Sequence, residues 1–232
     1  MVIWERPEPS APSALSRERI VRAAIRLADA DGLAAVSLRK IAAALDVGPM
    51  RLYRYVDTKD DLLALMMDAV WAEIPVPALA EWRAGVRALA GGIRAAALRH
   101  EWFADLLGGR PDLGPAAFGH MEARVAALRA APGLRDDADA LALASRAVGA
   151  YVLGALRHEI ADRRAERASG LTEHQWQAAA GPYVTRMMAT GRYPTLAHLL
   201  TNAADQDPEA AFDSGLAVVL DGISGRLPES DG

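Results

Sequence analysis

The stretch that most constrains what this chain can fold into is residues 37–59, SLRKIAAALDVGPMRLYRYVDTK. Ser37 suits a helix N-cap, and Leu38, Ile41, Ala42 and Leu45 follow at helical spacing. Asp46-Val47-Gly48 then breaks the pattern, since Asp and Gly tolerate the positive φ of a sharp turn. Pro49 fits the first turn of a second helix, where its missing N–H costs nothing. Leu52 and Val56, four residues apart, would face the first helix. Met50, Arg51, Tyr53, Arg54 and Tyr55 are left for the exposed sides. Two short helices around a tight turn, the second cationic and aromatic, are what a helix-turn-helix lays into a DNA major groove.

Charge agrees with that reading. The chain as a whole is acidic, at −4, which argues against a general polyanion binder. Within 37–59, however, Arg39, Lys40, Arg51, Arg54 and Lys59 stand against Asp46 and Asp57. Residues 1–65 carry ten Lys or Arg and nine Asp or Glu, whereas residues 66–232 carry sixteen and twenty-one. Positive charge is therefore focused where phosphates would be met.

The segment from Ile20 to Leu63 resembles the DNA-binding domain of the TetR family of bacterial transcriptional repressors. The matching parts are IVRAAIRLADADG ending at Gly32, the Ser37 cap, IAAALDV, the pair Leu52-Tyr53, and Lys59 followed by Leu62-Leu63. The string LYRYV is nearer the tetracycline-repressor branch than the commoner form ending in Phe. Asp46 stands where the family usually has Gly, and Gly48-Pro49-Met50 replaces a Ser-containing start of the second helix. The resemblance implies base contacts from Arg39 and Arg51, with Pro49, Met50 and Arg54 on the same face. Arg can grip guanine O6 and N7 with two hydrogen bonds, whereas Tyr53, Tyr55 and Lys59 are expected to clamp phosphates, which positions without specifying.

Beyond the motif the chain reads as all-α, a three-helix DNA-binding domain followed by a larger helical bundle. Hydrophobic residues make up 52%, Ala is abundant and strand-like alternation is hardly present. Residues 1–15, with Pro7, Pro9 and Pro12, read as a flexible tail, 16–62 as the DNA-binding domain and 63–232 as an effector-binding and dimerisation domain. Helices are expected at 16–31, 59–74, 79–99, around 102, 116–130, 136–168, 172–190, 195–204 and 208–227, with a kink at Gly181-Pro182. No apolar run approaches the roughly 20 residues of a membrane span, no leader pattern is present and cysteine is absent, so a cytoplasmic setting is expected.

Trp102, Phe103, Phe118, Met121, Tyr151, Trp176, Tyr183 and Met187 recur at helical spacings. Any one of them can be plain core. As a set they suit an apolar effector pocket, with Tyr151, His158 or His120 to orient a polar group. The five histidines are scattered, with no HExxH spacing, so no metal and no cofactor is expected. No phosphate loop or G-x-S-x-G elbow points to an enzyme.

The string FDSGLAVVLDGI resembles the last helix of the TetR C-terminal domain through Phe212, Gly215-Leu216, Leu220 and Asp221-Gly222-Ile223. Phe212, Leu216, Val219, Leu220 and Ile223 share a stripe, and the long helix offers Val148 and Ala155, so both helices are expected to form a four-helix dimer interface. The whole reading is a homodimeric repressor on palindromic operator DNA, with a small, partly apolar effector. The resemblance implies that the effector displaces the helix starting at Lys59. The alternative is a helical-bundle binding protein or enzyme with a vestigial N-terminal domain; retention on heparin and a gel shift separate the two.

Overall fold

The computed structural model describes residues 3–8, 15–78, 81–109, 113–204 and 206–225. Among these residues all regular structure is helical. Three helices build the N-terminal unit. α1 (Arg17–Asp31) begins where the Ser16 hydroxyl accepts from Arg19 N and ends at Gly32, whose φ of 76° only glycine adopts freely. α2 (Leu38–Ala44) is capped by Ser37, as its sequence implies. α3 (Pro49–Leu52) opens with Pro49 at its start but has no side-chain cap, because Gly48 has nothing to offer. Ile20, Ile41, Leu52, Val56 and Leu62 are shielded completely and form the small core beneath.

α4 (Lys59–Glu73) leaves this unit and enters the larger one. Thr58 and Asp61 form a reciprocal capping box at its start, with Asp61 N donating to Thr58 Oγ1 at 3.0 Å and Thr58 N donating to Asp61 Oδ2 at 3.2 Å. α5 (Trp82–Arg99), α6 (Glu101–Leu106), α7 (Pro115–Arg129) and α8 (Ala138–Ser169) follow, then α9 (Glu173–Ala189), α10 (Pro194–Asn202) and α11 (Pro208–Gly225). α8 is the axis, packed against α5, α6, α7 and α11. By length and composition alone it could cross a membrane, but Ala144, Val148, Val152, Leu156 and Ile160 form a buried face against those neighbours. α9, which contains Pro182, and α10 bury none of their residues within the chain.

The start of the chain departs from the flexible tail read over 1–15. Ile3 is buried, Arg6 pairs with Asp57, and Arg17 donates to Arg6 O at 2.9 Å and to Tyr55 O at 3.1 Å. Arg17 thus ties residues 3–8 to the end of the helix-turn-helix. A short 3-10 helix, Ile3–Glu5, holds the apolar anchor Ile3, and Arg6 beside it supplies the cation. Residues 9–14 of that tail, and the expected helix ends at 79 and 227, lie outside the described residues.

Candidate DNA face and effector pocket

The turn between α2 and α3 places Asp46 at φ 54°, the one positive-φ non-glycine among the described residues. That position calls for a left-handed backbone, which Asp tolerates better than most side chains. The turn presents Pro49, Met50, Arg51, Tyr53 and Arg54 outward, with Met50 77% exposed and Tyr53 45% exposed. Arg39, Lys40 and Lys59 are exposed beside them. Among the described residues none of Arg39, Lys40, Arg51, Arg54 or Lys59 is held by a carboxylate, so this cationic surface is open to phosphates.

Tyr55 is the exception. It was expected on the exposed side, but it is buried in the N-terminal core. The helix closes at Leu52, and the backbone continues in tight turns, with Tyr55 N and Val56 N both donating to Leu52 O. Tyr55 stands three residues after Leu52 and beside Val56, so helical spacing itself puts it on the inward face that Leu52 and Val56 share, and it was wrongly counted with the exposed residues.

The larger unit holds a partly open cavity of about 740 Å³, well within the range of small-molecule sites. Trp71 of α4, Val86, Leu89, Ala90 and Ile93 of α5, Leu106 of α6, Ala117, His120, Met121 and Arg124 of α7, and Val148, Val152 and Leu153 of α8 line it. His120 Nε2 donates to the carbonyls of Trp71 and Ile74, both at 3.0 Å. Since both partners only accept, the proton must be on Nε2, and Nδ1 is left as a buried acceptor without a partner. The His120 ring lies 5.1 Å from that of Trp71. Arg124 Nε is buried and also without a partner, and burial alone lowers its guanidinium pKa.

Of the ten residues expected around an effector, the structure brings only His120 and Met121 to this cavity, and Phe118 is exposed. Trp102 is buried elsewhere, its Nε1 donating to Asp29 of α1 at 2.7 Å. Phe103 lies fully buried with its ring centroid 5.3 Å from that of Trp71 in an edge-to-face arrangement, supporting the cavity wall from outside the lining. Tyr151 turns to α11, where its hydroxyl donates to Phe212 O at 2.7 Å. Gly215 makes that approach possible, because a Cβ there would collide with the Tyr151 hydroxyl. His158 is exposed beside Asp162. Trp176 and Tyr183 on α9 are about 60% exposed, and Met187 is half-buried. Spacing along one helix reports a shared face but not which neighbour the face meets, so aromatics from four different faces were grouped together.

Sequence reasoning missed Trp71 and Arg124. The i, i+4 pair His120–Arg124 on the face of α7 that also carries Ala117 and Met121 was the available signal.

Four of the seven residues of the expected interface stripe are corrected in the same way, while Ala155, Val219 and Ile223 keep part of their surface exposed. Phe212, Leu216 and Leu220 are buried against their own chain, Val148 lines the cavity, and Ala155, Val219 and Ile223 pack partly buried on the same core. The large side chains of α11 go inward. What stays outside is a row of smaller residues, Ala211, Ser214, Val218 and Gly222 on α11 and Ala150 and Gly154 on α8.

One further cluster links the two units. Asp29 of α1 accepts from Trp102 and meets His100 Nδ1 at 2.7 Å, while His100 Nε2 lies 3.2 Å from Glu73 of α4, which also accepts from Arg99 at 2.6 Å. His158, His174 and His198 are exposed and apart from it.

An exposed cationic helix-turn-helix joined through one helix to a mostly apolar cavity defines a ligand-responsive DNA-binding regulator. Residues 20–66 match the family model described as bacterial regulatory proteins, tetR family. Residues 75–227 match the tetracyclin repressor-like C-terminal domain. The chain belongs to the TetR family, and it is a ligand-responsive transcriptional repressor of that family. It is 38% identical over 228 residues to the HTH-type transcriptional repressor DrrR1 of Streptomyces coeruleorubidus, covering 96% of this chain and 83% of that protein. A HTH-type transcriptional regulator of Saccharopolyspora erythraea is 36% identical over 229 residues, covering 96% and 91%. Among solved structures, ActR of Streptomyces coelicolor in complex with actinorhodin superposes with a TM-score of 0.80 at 28% identity, covering 94% of this chain and 99% of that one.

Proposed function

We propose that two copies of this chain bind a palindromic operator and leave it when a small effector fills the cavity of each. Residues 16–62 serve as the DNA-reading unit and 63–232 as the effector and dimer unit. Arg39 and Arg51 read bases, with Pro49, Met50 and Arg54 beside them, and Tyr53 and Lys59 hold phosphates. The observation that carries this reading is α4. Lys59 at its start faces outward with the cations, and Trp71, twelve residues on, lines the cavity. The two are about 18 Å apart along one helix. A ligand that pushes on Trp71 tilts the helix that ends beside the DNA, and the Asp29–His100–Glu73 contacts must rearrange with it. A ligand that prefers the DNA-incompetent arrangement by a few kcal/mol is enough to shift the population.

Dimerisation uses the outer faces of α8 and α11, where small residues permit close approach. The apolar residues that α9 and α10 leave exposed, Trp176, Tyr183, Val184, Leu196, Leu199 and Leu200, are covered by the second subunit. A two-fold dimer sets two recognition helices about 34–36 Å apart, one turn of B-DNA. The cavity works by binding rather than turnover, and the protein acts in the cytoplasm. The test is a gel shift with the DNA flanking its own gene, repeated with candidate effectors. A retarded band lost on adding a ligand that also quenches Trp71 fluorescence supports the reading. No retardation of adjacent or heparin-selected DNA at any salt concentration refutes it.

A further inference from the structure

The cavity just described carries a charge imbalance that its apolar walls make costly. Two cations line it, Arg124 from α7, partly buried with its Nε shielded, and Arg146 from α8, exposed at its mouth, and among the described residues no Asp or Glu does. Neither arginine is paired with a carboxylate among the described residues. Arg124 lies on the same face of α7 as Ala117, His120 and Met121, and its guanidinium reaches toward α8. A Cβ built on Gly149 of α8 would lie 3.8 Å from Arg124 Nη1, so glycine there leaves the guanidinium room. Structural arginines elsewhere in this unit are satisfied. Arg94 is gripped by both oxygens of Glu159 at 2.8 Å, and Arg164 and Arg167 by Asp105 and Glu101. Arg124 alone among these is held in an apolar cavity with its Nε shielded and unmet.

An arginine keeps its charge in such a place, and an unpaired buried charge is expensive. The geometry points to an effector that supplies the missing partner: an apolar body bearing an anionic oxygen group, a carboxylate or an ionised phenol or enol, bound by the Arg124 guanidinium with Arg146 contributing from the α8 side. This rests on the effector-binding reading of the cavity. The paired oxygens of a carboxylate match the guanidinium fork, and charge-assisted hydrogen bonds are roughly twice as strong as neutral ones. The burial that lowers the Arg124 pKa is the same burial an anion would offset.

Anthracene-2-carboxylate and anthracene-2-carboxamide have nearly the same shape and differ in charge, and their binding to the full-length protein is followed by fluorescence anisotropy. The wild-type protein is expected to bind the carboxylate about tenfold or more tightly than the amide. Arg124→Met abolishes that preference, Arg124→Lys restores part of it, and neither changes retention of the free protein on heparin. Equal affinity for the two probes in the wild-type protein overturns the anion site while leaving the cavity as an effector site. A preference that survives Arg124→Met also overturns it. Binding of neither probe takes down the effector reading of this cavity and the inference with it. Should Arg124→Met fail to fold, the wild-type comparison of the two probes decides alone.

Discussion

At the scale of single residues, burial separates roles that sequence position alone runs together. Arg51 and Tyr55 sit four apart in one motif, yet one is exposed and the other buried. Arg51→Ala is expected to weaken operator binding by about 1–3 kcal/mol and to leave binding to random DNA nearly unchanged. Lys59→Ala should weaken both and flatten the salt dependence. Competition gel shifts at several salt concentrations distinguish the two, and equal loss on both DNAs for Arg51→Ala would reduce that residue to a phosphate contact. Tyr55→Ala behaves differently. It empties a core site, so stability should fall by about 3–5 kcal/mol, read as a lowered urea midpoint, with DNA binding lost through unfolding. An unchanged midpoint would return Tyr55 to the DNA face.

Between elements, a few polar groups decide how helices are held together. Asp29→Ala strips the partner from buried Trp102 Nε1 and from His100 at the junction of α1 with α5 and α6. The expected cost is about 1–3 kcal/mol. Since that junction joins the DNA-reading unit to the cavity, the variant should also need a different effector concentration for release. Unaltered release in gel shifts would remove the cluster from the route. A second junction ties α6 to α8. Glu101 accepts from Arg167 at 2.8 Å and from Arg164 at 3.3 Å, and hydrogen bonding to Arg167, then to Arg164, holds its carboxyl below the usual glutamate range. The unfolded chain therefore binds the proton more readily. The contribution is fully present above the ordinary glutamate value of about 4.3 and is lost as pH falls through the lower folded value. Glu101→Gln should flatten that acid limb of the stability profile, measured by urea unfolding between about pH 3 and 6, and an unaltered limb would make the pair energetically idle.

At the scale of the whole molecule, the proposed dimer asks each long helix to serve two partners. α11 buries Phe212, Leu216 and Leu220 within the chain, α8 buries Val148, Val152, Leu156 and Ile160, and Leu143, Gly154, Val218 and Gly222 stay outside. Cβ atoms added at Gly154 and Gly222 meet nothing within 4 Å, so a larger residue there disturbs nothing inside the subunit. Val218→Arg with Gly222→Arg should give a folded monomer in sedimentation, with operator affinity reduced by about two orders of magnitude or more because the two half-sites are no longer bound together. A dimeric double variant with normal DNA binding would place the interface elsewhere. Leu216→Arg, by contrast, would place a charge in the subunit's own core and test only folding.

The helices, their caps and the helix-turn-helix were legible in the sequence because they depend on residues three or four apart. Ser16, Ser37, Thr58 with Asp61, and Thr172 with Gln175 act on the backbone beside them, whatever the rest of the chain does. The exposed cationic surface was legible for the same reason, except that Tyr55, three residues after Leu52, belongs with the buried face. The cavity was not. Which face of α7 meets which face of α8, and whether Tyr151 looks into a pocket or toward Phe212, depends on helices up to sixty residues apart in the chain and on the approach Gly215 permits. Local periodicity determined that α11 has an apolar stripe. Only packing in three dimensions decided that the stripe belongs to the subunit's own core, because a large side chain gains most where it leaves water completely.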